Sequence, residues 1–136
     1  MVKPICKDTF VLSMKAVPAT KADKQIAQDL LETLIANERV CVGMAANMIG
    51  INKSIIVFNT GFKNIVMFNP VIKEQSELYE ASEGCLCHEG EKKVMRYKNI
   101  TVEYQDMNFK RNVSKYTGWV AEIIQHEIDH LNGILI

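Results

Sequence analysis

Close to the C-terminal end of this 136-residue sequence stands His126-Glu127-Ile128-Asp129-His130, inside an apolar stretch with helical spacing. Residues four apart on a helix share one face, so both imidazoles can converge on a single ion. Glu127, beside them, can reach a water molecule on that ion. This is the donor spacing of a zincin-type metal site with its own general base. The constraint on folding is severe. The helix must be held against a segment that supplies the remaining donor and shuts out bulk water. The bland alternative is a chance match to a short motif, so the rest of the chain must supply the missing parts.

The helix carrying the motif is expected from about Gly118 to Leu131, with Thr117 as its cap and Gly133 placed to end it. Val120, Ile123, Ile124, Ile128 and Leu131 spread apolar residues around much of its circumference, which predicts a central, buried helix. A second, amphipathic helix of about four turns is expected after Thr20-Lys21-Ala22-Asp23, a capping-box variant. Ile26, Ala27, Leu30, Leu31, Leu34 and Ile35 follow there at helical spacing. Cys41 to Gly50, small and glycine-bearing, reads as a tight loop or an irregular strand. Ile55-Ile56-Val57-Phe58 and Ile65-Val66-Met67-Phe68 read as strands, flanked by Asn59-Thr60-Gly61 and Asn69-Pro70. Ile100, Val102 and Tyr104 alternate with Thr101 and Glu103 as in a half-buried strand, and a polar turn is expected from Asp106 to Lys115. No repeat, linker or low-complexity segment intervenes. The expected architecture is one α+β domain over residues 1–136, with mixed, mostly antiparallel sheets packed around the central helix.

Sixteen basic and sixteen acidic residues cancel, so charge gives no signal for nucleic acid or anionic lipid. No apolar run approaches the roughly 18 residues of a membrane span. Met1 to Asp8 has neither the basic start nor the hydrophobic region of a signal peptide, and the expected compartment is the cytoplasm. Cys6, Cys41, Cys85 and Cys87 are few and irregularly spaced, which argues against a disulfide framework. In a reducing compartment, thiol chemistry here means thiolate ligation or nucleophilic attack.

Two histidines do not make a catalytic centre, because an open metal site usually takes three protein ligands and leaves one position for water. Leu131 to Ile136 offers no strongly ligating side chain, so the third ligand must lie upstream. That already disfavours metalloproteases whose third ligand follows the motif. Upstream, Glu83-Gly84-Cys85-Leu86-Cys87-His88-Glu89-Gly90 concentrates the candidates. A Cys-x-Cys-His segment is weak evidence by itself, since buried inert cysteines are common. Facing a helix that lacks one donor, Cys85 becomes the best candidate. Its thiolate suits zinc and iron(II) alike.

These residues resemble the peptide deformylase family through three motifs in family order, spanning nearly the whole chain. Gln125-His126-Glu127-Ile128-Asp129-His130-Leu131-Asn132-Gly133 matches the third motif closely. Glu83-Gly84-Cys85-Leu86 matches the second, with Cys87 where the family typically has serine. Cys41-Val42-Gly43-Met44-Ala45-Ala46-Asn47-Met48 stands for the first, read in the family as G-x-G-x-A-A-x-Q.

The resemblance implies a metal-dependent hydrolase that removes the formyl group from N-formylmethionyl peptides and nascent chains. It implies Cys85, His126 and His130 as ligands of one divalent ion, iron(II) in the cell, with zinc, nickel or cobalt able to replace it. Glu127 would take the attacking water's proton and deliver it to the leaving amine. The backbone N–H of Leu86 would help hold the oxyanion. Gly43, Met44 and Met48 would belong to the substrate-binding segment, and a hydrophobic pocket would receive the methionine side chain. Glu83 would pair with Arg96 to brace the ligand-bearing segment. Asp129 either supports a ligand or is a solvated helix charge. Transient ribosome association also follows from the resemblance, although charge does not support it, and a docking tail beyond Ile136 is not transferred.

Met48 is the main departure: the family uses a glutamine there as an oxyanion donor, and a thioether cannot donate. Losing one such donor costs on the order of 100- to 1000-fold in rate. Asn47 could substitute only with the loop rotated. A deformylase-like paralogue that binds metal or formylated peptide with weak or lost turnover is therefore the second reading, and a metalloprotease the third. Cys87 and His88 are either extra metal ligands or a strand residue and an exposed turn residue. Cys41, where the family has glycine, either tightens the loop or simply packs.

Overall fold

The structure, a computed structural model, describes residues 1–136, with the side chain of His88 outside the description. Eight main elements follow in chain order: α1 (Thr9–Leu12), α2 (Lys24–Ala36), β1 (Gly43–Ala45), β2 (Ile55–Asn59), β3 (Asn64–Cys85), β4 (His88–Gln105), β5 (Arg111–Thr117) and α3 (Gly118–Leu131). The strands form one sheet in chain order, each pair antiparallel. The α+β architecture around a helix bearing the histidines is thus realised with a single sheet.

Helices α2 and α3 lie on opposite faces of that sheet. On one side Ala27, Leu30 and Leu34 of α2 pack with Met44, Met48, Ile55, Val57 and Phe68. On the other, Ala121, Ile123, Ile124 and Leu131 of α3 pack with Ala45, Ile56, Phe58, Met67, Ile100 and Val102. Consecutive strand residues point to opposite faces. Ile55 and Val57 therefore go to one core and Ile56 and Phe58 to the other, which is why β2 is continuously apolar instead of alternating.

The capping box at Thr20 forms as expected. Asp23 accepts from the Thr20 backbone N–H at 2.8 Å, and the Thr20 hydroxyl accepts from Ala22 N–H at 3.2 Å. It closes a 3₁₀ turn over Lys21–Asp23 that runs into α2. Thr117 occupies the cap position of α3 but makes no side-chain cap bond. There, positive-φ Gly118 turns the chain from β5 into the helix.

Three sequence expectations are corrected. Asn69-Pro70 does not end a strand, because β3 continues through a bulge between Phe68 and Val71, a place where proline's missing N–H costs no ladder bond. The polar turn is confined to residues 106–110, closed by the Asp106 side chain accepting from Asn108 and Lys110 N–H at 2.9 and 3.1 Å. Residues 111–117 are strand, paired with β4. Finally, Cys87 is a turn residue and His88 a strand residue, the reverse of the expectation, because β3 and β4 extend into a long hairpin whose two-residue turn, Leu86-Cys87, joins Cys85 to its pairing partner His88.

Candidate metal centre and active site

The hairpin tip and α3 together build the centre. Cys85 Sγ lies 3.3 Å from His130 Nε2, which lies 3.2 Å from His126 Nε2. Donors on a tetrahedral ion with bonds of roughly 2.0–2.3 Å sit about 3.3–3.6 Å apart. His130, buried like His126, thus stands at such a separation from both the second imidazole and the half-buried Cys85 thiol, as donors to one shared divalent ion would. Donor atoms fall into two overlapping groups, each within 4.8 Å: Cys85, Cys87 and His130, and His126, Glu127 and His130.

The orientation of His126 is set from behind. Its Nδ1 meets Glu83 Oε1 at 2.8 Å, and with Nδ1 donating, Nε2 is left free to face His130. Glu83 in turn accepts from Arg96 Nε at 3.0 Å and Nη2 at 2.7 Å. Arg96 Nη1 reaches Asp129 Oδ2 at 2.5 Å, so Asp129 is a partner of this chain of charges and not merely a solvated helix charge. Burial opposes charge on Glu83, but hydrogen bonds from His126 and Arg96 outweigh it and hold its carboxylate at about 2. Burial likewise works against the His126 imidazolium, yet Cys85 and Glu83 push it up to about 10.

Glu127 is 3% exposed, and its Oε1 has no hydrogen-bond partner among the described residues. Burial pushes its carboxyl up to about 7, with the neighbouring His126 opposing. A buried carboxyl with a free oxygen beside the imidazoles has the chemistry of a general base. The Cys85 thiol is pushed up to about 11 by Cys87 and then by burial, against the pull of the two histidines. A bound divalent ion reverses that preference by holding the thiolate.

A cavity of about 530 Å³ opens onto this cluster, lined among others by Gly43, Glu83, Cys85, Leu86, His126 and Glu127. Val40, Val42 and Trp119 also line it and are exposed apolar residues at its mouth. Gly43 is where β1 touches α3: a Cβ there would lie 2.7 Å from Ile123 Cγ2 and 2.9 Å from Glu127 Oε2. Of the expected substrate-binding residues, only Gly43 reaches the cavity. Met44 and Met48 are 0% and 1% exposed and belong to the core under α2, because the strand and the 3₁₀ turn that carry them direct both side chains inward.

Asn47 does not take over the missing donor role, since its amide donates to the His130 carbonyl at 2.7 Å. Gln125 is a positioning residue that the sequence reading gave no role. It accepts from Tyr97 N–H at 2.8 Å and donates to Tyr97 O at 2.8 Å and Ala121 O at 2.9 Å, tying α3 to β4. Its signals were a glutamine among apolar helix residues and its place at the head of the third motif. Cys87 is buried against Cys85, while any part played by the His88 side chain lies outside the description.

A helix with paired imidazoles, a carboxyl beside them and a thiol delivered from a hairpin tip together form a candidate metal centre of the kind metallohydrolases use. The polypeptide deformylase family model matches residues 2–136. A peptide deformylase of Clostridium beijerinckii is 47% identical over 136 residues, covering the whole of both chains. The crystal structure of peptide deformylase from Thermus thermophilus superposes with a TM-score of 0.89 at 38% identity, covering 98% of this chain and 83% of that one. A Met-Ala-Ser-bound class I type b peptide deformylase from Acinetobacter baumannii gives 0.90 at 31% identity, covering 99% and 97%. This chain belongs to the polypeptide deformylase family, which is metal-dependent.

Proposed function

We propose that the deformylation this chain carries out runs on Cys85, His126 and His130 as donors to one divalent ion, with Glu127 as general base. The chain is an enzyme that removes the N-formyl group from the N-terminal formylmethionine of newly made peptides. The observation that carries the assignment of roles is the clustering of His126 and His130, both buried, with the half-buried Cys85 thiol, neighbours 3.2–3.3 Å apart, beside a Glu127 oxygen with no partner among the described residues. A divalent ion on these donors supplies Lewis acidity, activating water and polarising the formyl carbonyl. Iron(II) is the ion we assign in the cell, with zinc, nickel or cobalt as replacements; a thiolate and two imidazoles accept all of them.

Glu127 takes the proton of the attacking water and passes it to the departing amine. The Leu86 N–H, at the hairpin turn lining the cavity, donates to the developing oxyanion. Glu83, braced by Arg96, keeps His126 turned toward its partners. Gly43 lines the substrate cleft and lets Glu127 sit close beneath it. Residues 1–136 act as one metallohydrolase domain. We place the protein in the cytoplasm, in keeping with four free thiols, and among the described residues no helix is long and apolar enough to cross a membrane. Nascent chains are reached through at most a transient ribosome contact, since a net charge of zero provides no electrostatic anchor.

Met48 favours a second reading, a deformylase-like protein with weak turnover that mainly binds metal or formylated peptide. Its thioether is buried in the core and donates nothing to the cleft. The test is turnover of a formyl-Met-Ala-Ser peptide by anaerobically prepared, iron(II)-loaded protein, alongside Met48→Gln and Glu127→Gln. Turnover by wild type that collapses in Glu127→Gln supports the enzymatic assignment. Activity gained only in Met48→Gln favours the weakened reading. Silence from wild type and Met48→Gln with metal bound defeats the assignment of deformylase chemistry to this site.

A further inference from the structure

The mechanism above leaves Cys87 without a role. Its side chain is buried, and its Sγ lies 3.0 Å from Cys85 Sγ. Both thiols are free, and they flank Leu86 in the hairpin turn. Cys85 faces the cavity, whereas Cys87 is held on the core side of the turn at 4% exposure. A lone buried cysteine is usually an inert packing residue. Here the second sulfur is aimed at the thiol proposed above as a metal donor, and closing an S–S bond would need an approach of only about 1 Å.

We propose that Cys85 and Cys87 form a reversible redox pair, in which hydrogen peroxide entering the cavity oxidises Cys85 and Cys87 closes the disulfide. In the first step Cys85 sulfur attacks one peroxide oxygen and the O–O bond breaks. Cys85 becomes a sulfenic acid, and the departing hydroxide leaves as water with the thiol proton. In the second step Cys87 sulfur attacks the sulfenic sulfur. An S–S bond forms, the S–O bond breaks, and the hydroxyl leaves as a second water with the Cys87 proton. The net change is two thiols oxidised and one peroxide reduced to two waters. The disulfide withdraws the thiolate donor from His126 and His130, so the oxidised protein releases its ion. It also keeps Cys85 from the irreversible sulfinic and sulfonic states.

The experiment treats zinc-loaded and metal-free full-length protein with hydrogen peroxide, blocks free thiols with iodoacetamide and maps cysteines by mass spectrometry after non-reducing digestion. We expect a peptide spanning Cys85 and Cys87 that is unalkylated at both and lighter by two hydrogens. Dithiothreitol should return both thiols, and a chromogenic chelator should detect zinc released as the disulfide forms. In Cys87→Ser and Cys87→Ala, Cys85 should progress to sulfinic and sulfonic acid that dithiothreitol does not reverse. The proposal is overturned if wild-type Cys85 over-oxidises as fast as in the variants, or if the disulfide links Cys6 or Cys41 instead. Zinc retained by the disulfide form would overturn the switch. The wild-type mapping decides the pairing even if a variant misfolds, and none of these readouts depends on deformylase activity.

Discussion

Gly43→Ala tests how tightly the fold holds Glu127. A methyl group at this position would meet Ile123 Cγ2 at 2.7 Å, Glu127 Oε2 at 2.9 Å and Glu127 Cγ at 3.2 Å. Non-bonded carbons rest roughly 3.5–4.0 Å apart. Strand β1 and helix α3 must therefore separate by about 0.8 Å, or Glu127 must swing away. Overpacking of this kind costs about 1–3 kcal/mol. A misplacement near 1 Å at a reacting group costs on the order of 100-fold in rate. The variant should lose about 100-fold in kcat/KM on a formylated peptide, mostly in kcat, at matched metal content. Its urea midpoint should fall in step with the lost stability. Adding Ile123→Ala removes one clashing carbon but leaves the Glu127 contact, so the double variant should couple favourably in stability while activity stays low. Wild-type kcat/KM with an unshifted midpoint in Gly43→Ala would refute the claim that this contact positions the base.

Other consequences are equally measurable. Glu83→Gln strips charge from a pair whose side chains are 5% and 6% exposed. It should weaken metal affinity about 10- to 100-fold by competition titration; unchanged affinity would rule out its hold on His126. Saturating the centre with zinc at about 100 times Kd should raise stability by about 2.7 kcal/mol. That gain should disappear in a Cys85→Ser, His130→Ala double variant. Thr20→Ala should cost about 1 kcal/mol by denaturant unfolding. Asp23 is held below its usual 3.8 chiefly by the Thr20 backbone N–H, with Lys53 adding to it against burial. Its contribution is thus fully present above pH 3.8 and is lost as pH falls through the lower folded value. Asp23→Asn should consequently flatten the acid side of the stability profile below pH 3.8, and an identical acid limb would contradict that account.

Much of the site was legible because it depends on local spacing. His126 and His130 share a face by helical geometry alone, and the apolar residues around them announced a buried helix. Glu83 to Gly90 stood out as a segment rich in donor side chains, with Cys85 among them. Helix α2 was equally plain, since its cap and its stripe of Ala27, Leu30 and Leu34 are encoded within a few turns. The strand β2 was visible as an apolar run, although its reason, burial on both faces, came only from the packing.

What escaped the sequence was structure maintained by distant partners. Residues 71–82 of β3 are largely exposed, and β5 alternates exposed and half-buried positions without alternating polar and apolar residues, so neither sequence shows the pattern that marks a half-buried strand. They are strands because β4 pairs with both. The same dependence on tertiary contacts decided the polar side chains. Nothing local distinguishes Asp129 as a partner of Arg96, Gln125 as a tie to Tyr97, or Cys87 as a neighbour of the Cys85 sulfur. Met44 and Met48 show the converse, positions assigned to the substrate-binding segment whose side chains the strand and turn direct into the core. Spacing along a helix determines which residues can meet an ion. Which of the others surround them depends on how a sheet and a hairpin tip close over that helix, and only the three-dimensional packing settles that.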